Sequence, residues 1–429
     1  MLNIDVDHPD ILDFIDVKTD LEKVKYANIS VNMTKEFMEA VENDEEFDLE
    51  FYVQSTGETI KNTVNARELF RKLAYNNWDY AEPGILFQDR IDSWHLKSEY
   101  EDFEFHGVNP CAEQTLGAFG SCNLASINLS EFVKKPFTDD AYFDIHEFEK
   151  VVREGVVYLN EILDENEPNH PLKQQTEMAR DYREIGLGIM GMADMFIKMG
   201  IVYGSTESII FIDELGYDML NFALQESAKL AKEDGTFPKY DEDATLSSPF
   251  LLENASDETI KMIAENGLRN SQVLTIAPTG SISTMFGVSG GIEAIFQVSY
   301  NRRSETLYEE DTIYKVFTPI AKAYMEENGI TKEEDLPETF VTSSTLDYKD
   351  RIHVQAQWQE YIDASISSTV NVPNEFTVEE VEDLYMYAWE QGLKGITIFR
   401  DGCARLGILT TDTDDSNEPE QEEEEECST

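Results

Sequence analysis

The sequence predicts an α/β fold, and three observations carry the prediction. Near the end, Thr377 and Glu380 stand at capping-box spacing before a helix through Glu390. Gly392 stops that helix, and Gly395-Ile396-Thr397-Ile398-Phe399 follows as a buried strand. Helical and strand-like periods alternate in the same way further upstream. Finally, 41% of the 429 residues are hydrophobic and 11% aromatic, which can build a sizeable core and excludes wholesale disorder.

Taken in order, Leu2-Asn3-Ile4-Asp5-Val6 alternates like half a strand, and a short helix follows through Phe14. Asn28–Asn32 reads as a strand and Lys35–Glu42 as a helix. Ala125–Leu129 is strand-like. Phe148, Val152, Val156, Leu159 and Leu163 repeat at helical spacing. Gly186-Leu187-Gly188-Ile189-Met190-Gly191 has the form GxGxxG, but no clear strand precedes it. Close helix packing through small residues is the expected reading, ahead of a dinucleotide loop. Residues 207–234 form a long helix with Leu215, Met219, Phe222 and Ala223 on one face, stopped by Gly235. No internal repeat and no linker divides residues 1–409, so one compact domain is expected there. An acidic, disordered tail over 410–429 is expected to follow.

Lys and Arg number 33 against 87 Asp and Glu, for a formal charge of -54; the tail holds ten of the acids, and without it -44 remains. Such a surface repels phosphate backbones, which excludes charge-driven nucleic-acid binding. A whole-chain acid excess over a normal core fits a halophilic cytoplasm, with an acidic protein of ordinary salt as the other reading. No run of 18 apolar residues suggests a membrane span, and MLNIDVDHPD lacks the basic and apolar regions of a signal peptide. Four cysteines, Cys111, Cys122, Cys403 and Cys427, are too few for a disulfide framework and suit a reducing, cytoplasmic compartment.

Six histidines lie at least 11 residues apart and there is no CxxC, so no protein-ligated metal is expected. The informative stretch is Asn109-Pro110-Cys111-Ala112-Glu113-Gln114. If extended, it turns Asn109, Cys111 and Glu113 to one side. A carboxylate beside a thiol raises the thiol's pKa, which suits hydrogen-atom chemistry by a neutral sulfur better than nucleophilic catalysis. A turn with a buried structural cysteine is the alternative. Cys122 follows eleven residues later, as a redox partner or as inert packing. The strand Val273–Ala277 runs into Pro278-Thr279-Gly280-Ser281-Ile282-Ser283 and a helix start. Backbone N–H groups and hydroxyls there suit an anionic phosphate, or else serve as an ordinary N-cap.

Together these motifs resemble the catalytic subunit of ribonucleotide reductase. NPCAEQ with GSCNLASINLS resembles that family's finger loop, here near 109–122. REIGLGIMGMAD, APTGSISTMFGVSGGIEAIF and the closing Gly392–Arg405 segment follow in the family's order, with Ala404 inserted. The resemblance implies a ten-stranded α/β barrel of two parallel five-stranded halves, of which this chain supplies the greater, C-terminal part. It implies a ribonucleoside-diphosphate reductase making 2′-deoxyribonucleotides for DNA synthesis. Cys111 would become the thiyl radical, Glu113 would be the base on the 3′-hydroxyl, and Asn109 would hold substrate hydroxyls. Cys122 would be one of the redox pair, and Thr279–Ser283 would receive substrate phosphates. Cys427 is a candidate redox shuttle, or a chance thiol, fed by a thioredoxin-like reductant.

Oxygen-dependent members carry a tyrosine pair near the C-terminal strand, where this chain has Ile398-Phe399-Arg400. GITIFRDG resembles the adenosylcobalamin-dependent class. No cysteine precedes Cys111, although the family needs one on an early strand, and an effector region is not seen. The expectation is therefore a split enzyme whose N-terminal half is a separate chain. A glycyl-radical lyase of the same barrel, or an inactive regulatory or assembly subunit, are the competing readings. The first lacks APTGSIS and GITIFRDG; the second does not explain the intact Asn109, Cys111, Glu113 and Cys122.

Overall fold

The computed structural model describes residues 1–20, 23–24, 27–121, 123–306 and 309–404. Cys122, Cys427 and the tail 410–429 lie outside the described residues.

Seven strands organise the molecule: β1 (Leu2–Asp5), β2 (Ile29–Met33), β3 (Gly84–Phe87), β4 (Leu124–Asn128), β5 (Gly186–Met190), β6 (Thr369–Val372) and β7 (Gly395–Arg400). β1, β2 and β3 run parallel, and β3 meets β7 antiparallel through Gly395↔Leu86 and Ile396↔Ile85. β7 is parallel to β6, and β5 is parallel to β4. The segment around Leu274–Ile276 joins the two groups, bridging in parallel to Leu187 of β5 and to Ile366, just before β6. The order is thus β4, β5, the 274–276 segment, β6, β7, β3, β2, β1. Five parallel strand positions are followed by three of opposite direction. The expected closed ten-stranded barrel is not formed by the described residues: eight strand positions make an open sheet with β4 and β1 at its edges.

Each strand alternates, and the alternation explains the layers. Val31, Met33, Ile85, Phe87, Val370, Val372, Ile396 and Ile398 enter one apolar cluster. Ile127, Leu187, Ile189, Leu274, Ile276 and Ile366 enter another. With a period of two, the opposite face receives Ser30, Asn32, Ser126, Asn128, Gly186, Gly188, Thr275, Ser365, Thr369, Asn371 and Thr397. One face is sealed by helices; the other is mostly small and polar, with Leu86, Leu124, Met190 and Phe399 as its large apolar members.

The helices cover the apolar face as their sequences require. Ile145–Asn166 buries Phe148, Val152, Val156, Leu159 and Leu163, and Asp144 caps it by accepting from Glu147 N–H. Thr206–Asp234 lies against it and ends at Gly235. Val378–Glu390 begins with both bonds of the Thr377/Glu380 capping box. Gly186–Met190 is a buried strand, not a helix-packing stretch. The physical reason is close approach across the polar face. A Cβ on Gly188 would lie 2.1 Å from Thr275 O, and one on Gly186 would lie 2.4 Å from Thr275 Cγ2.

Candidate functional site

A hairpin projects onto the polar face: Phe105–Val108 pairs antiparallel with Thr115–Gly117, and residues 109–114 form its tip. The tip is a turn, not the extended segment expected. Asn109 N–H donates to Gln114 O (3.1 Å), Ala112 N–H to Asn109 O (3.0 Å), and Gln114 N–H to Asn109 Oδ1 (3.1 Å). Ala112 sits in the left-handed region with φ of 63°. The parity argument therefore fails, yet the turn still gathers the three side chains. The Asn109 side chain hydrogen-bonds Glu113, and the Glu113 charge is close enough to act on Cys111.

The electrostatics of the tip follow from burial. Glu113 is 3% exposed, and its Oε2 has no hydrogen-bond partner. Burial raises its pKa above the ordinary carboxyl value, against the lowering hydrogen bonds from the backbone and Asn109. Cys111 is exposed, and its thiol pKa is raised, first by partial desolvation and then by Glu113. The tip thus holds a solvent-open thiol and a buried carboxyl, both with pKa values raised above the ordinary. The structural-cysteine alternative is half right: there is a turn, but the thiol is not buried.

Three segments of the sheet hold this tip. Glu113 O accepts from Ser365 N–H (3.0 Å) and from Thr275 Oγ1 (2.6 Å). Gln272 Nε2 donates to Gln114 Oε1 (3.0 Å), and Asn28 Nδ2 donates to Pro110 O (3.1 Å). Beneath them, Asp363 accepts from Val273 N–H and Leu274 N–H at 2.9 and 2.7 Å. Fully buried Lys394 donates to Trp94 O (2.6 Å) and Asp363 O (2.8 Å). Burial raises the Asp363 carboxyl and lowers the Lys394 ammonium. Thr275, Ser365, Gln272, Gln114, Asp363 and Lys394 were not singled out from the sequence. The signal for the last was a lysine inside an apolar strand entry, Leu393-Lys394-Gly395-Ile396.

The Thr279–Ser283 turn stands where the sequence placed it, at the start of the helix Gly280–Phe286. Its hydroxyls are less available than expected. Thr279 Oγ1 accepts from Gly291 N–H (2.9 Å), and Ser283 Oγ donates to Gly280 O (3.3 Å). Thr279, with φ of 53°, makes no side-chain cap bond, while Gly280, Ser281 and Ile282 are exposed. Among the described residues no group of three or more His, Cys, Asp or Glu could hold a metal ion. No described helix is long and apolar enough to cross a membrane. Cys403 is partly buried just beyond β7.

Comparison with known proteins adds the following. Residues 1–399 match the family described as "Ribonucleotide reductase, barrel domain". The vitamin B12-dependent ribonucleoside-diphosphate reductase of Thermoplasma acidophilum is 33% identical, over 97% of this chain and 53% of that protein. That of Mycobacterium tuberculosis is 30% identical, over 96% and 57%. The vitamin B12-dependent ribonucleotide reductase of Streptomyces coelicolor is 29% identical, over 94% and 48%. The chain spans about half the length of the curated relatives it matches.

Proposed function

Because this chain belongs to the ribonucleotide reductase family, we propose that it carries the radical and proton-transfer centre of a reductase that converts ribonucleotides to 2′-deoxyribonucleotides. The observation that carries the reading is the tip itself: an exposed neutral thiol, Cys111, beside a buried carboxyl, Glu113, on a polar sheet face.

In this reading the Cys111 sulfur takes the 3′-hydrogen of the ribose. Glu113, its carboxyl made more basic by burial and short of one hydrogen-bond partner, accepts the 3′-hydroxyl proton. Asn109 has one carbonyl bond committed to Gln114 and holds the carboxylate, so it offers the substrate its remaining hydrogen-bonding capacity. The 2′-hydroxyl leaves as water, and two thiols, one of them Cys122, close to a disulfide that supplies the two electrons. A dithiol reductant of the thioredoxin kind then restores them, with Cys427 as a candidate relay.

Substrate phosphates lie at the exposed backbone of Gly280–Ile282. The radical source is adenosylcobalamin. The solvent-open Cys111 thiol and the absence of tyrosine from β7 fit that group, which when bound supplies the one-electron chemistry that makes the thiyl. The open sheet is completed by further strands, which also bring the cysteine that pairs with Cys122. Edge strands β1 and β4 are where such strands would add.

The test is deoxyribonucleotide formation by the chain with its N-terminal half, adenosylcobalamin and a dithiol. The expected result is turnover that disappears in Cys111→Ser. Retained turnover in that variant, or turnover without cobalamin, overturns the reading.

A further inference from the structure

We propose that Thr275 is a positioning residue for the Cys111–Glu113 pair: its hydroxyl fixes the hairpin tip to the sheet through the Glu113 carbonyl. This extends the reading of the tip given above, but it rests on geometry that stands whatever the tip does.

Thr275 is 1% exposed, on the polar face between β5 and the segment that enters β6. Its Oγ1 lies 2.6 Å from Glu113 O and 3.0 Å from Ser365 O. A threonine hydroxyl has one proton, and the shorter contact marks Glu113 O as its main acceptor. The same carbonyl also receives Ser365 N–H at 3.0 Å. Two donors from two neighbouring strands thus converge on one atom of the tip. The methyl group of Thr275 occupies the space that a side chain at position 186 would need, and Thr275 O fills that at 188. Position 275 is thereby locked between two glycines. Its hydroxyl has no freedom to follow the tip, so the tip must conform to it.

Two residues separate Glu113 from Cys111, across the left-handed Ala112. Fixing the Glu113 carbonyl therefore fixes where the carboxyl stands relative to the thiol. Beyond Asn109, whose own position depends on the turn, no described side chain bonds the Glu113 carboxyl. Control of its position falls to the backbone bonds.

The test reads the pair without substrate, cobalamin or partner chain. Alkylation of Cys111 in the full chain is followed against pH, with peptide mass spectrometry separating it from Cys122, Cys403 and Cys427. Thr275→Val keeps the shape and removes the hydroxyl; Thr275→Ser keeps the hydroxyl and removes the methyl. In the valine variant the alkylation midpoint should fall by about half a pH unit as Glu113 drifts from the thiol, making modification about threefold faster below the midpoint. The serine variant should keep the wild-type midpoint. A purely structural role would lower the melting temperature of either variant without moving the midpoint.

A folded Thr275→Val with an unchanged midpoint overturns the proposal, as does a Thr275→Ser with a displaced one. If the valine variant does not fold, Thr275→Ala, which also lacks the hydroxyl, takes its place under the same criterion. Failure of the reductase reading would appear as absent turnover with a normal wild-type titration, so the two failures are distinguishable.

Discussion

Replacing Glu113 by glutamine should make the protein more stable while silencing it. The carboxyl is 3% exposed, one oxygen has no partner, and burial holds its pKa above the ordinary value of 4.5. An acid whose folded pKa is raised favours the folded state while protonated. That contribution is whole below the unfolded pKa and is lost as pH rises through the folded one. Above the folded pKa the wild type therefore bears the cost of an ionised buried group. A buried polar atom left unsatisfied costs about 1–3 kcal/mol, and more when charged. The glutamine amide inherits the unpartnered position as a neutral group, at about 1 kcal/mol. The net gain expected for Glu113→Gln is about 1 kcal/mol at pH 8, or about 1–2 °C in a chain of this length. It should shrink as pH falls through the folded pKa of Glu113. Calorimetric melts of both proteins in high salt, from pH 5 to 9, give the curve directly. Turnover of the reconstituted enzyme should fall at least about 100-fold, the usual worth of a general base. A glutamine variant that melts below wild type at pH 8, or a difference flat across the range, would refute the assignment of an uncompensated buried carboxylate.

Cys111→Ser should abolish turnover yet shift stability by less than about 0.5 kcal/mol, because the side chain is exposed; equilibrium unfolding and product assay check both halves. Gly188→Ala should lower the melting temperature sharply and loosen Cys111, since the new methyl would stand 2.1 Å from the Thr275 carbonyl; a melt within a degree of wild type would contradict this. The melting temperature should rise steeply with salt, since -44 remains without the tail and the Debye length falls from about 30 Å at 0.01 M to about 3 Å at 1 M; equal melts at both concentrations would dismiss the halophilic reading.

The helices were legible because their signals are local. The Phe148–Leu163 period and the Thr377/Glu380 box need no partner to be read, and both are found as expected. The tip was half legible. Its residue types declare the chemistry, but its shape depends on long-range bonds to Ser365, Thr275 and Asn28, which no window of sequence contains. Gly186–Met190 was misread for a related reason. Its glycines answer to the Thr275 strand across the sheet, and without side chains on that face the period of two is hard to see. The alternation around Ile29–Met33 and the strand Gly395–Phe399 were plain in the letters, while Thr369–Val372 was not read as a strand. Only the assembled sheet shows that those residues share one face.

The two apolar clusters give the sheet a mechanical character. One core lies behind β4, β5 and Ile366; the other lies behind β1, β2, β3, β6 and β7. The boundary between them falls within the few residues from Ile366 to Val370. The hairpin tip is moored on both sides of that boundary: Glu113 to Thr275 and Ser365, and Pro110 to Asn28 at the head of β2. Cys111 stands between the two moorings. A slip of one core against the other would fall on the three residues between those moorings, Cys111 among them. Loosening the boundary should disorder the tip before either core melts, and amide exchange at Ala112 and Glu113 should outpace exchange in β2 and β5.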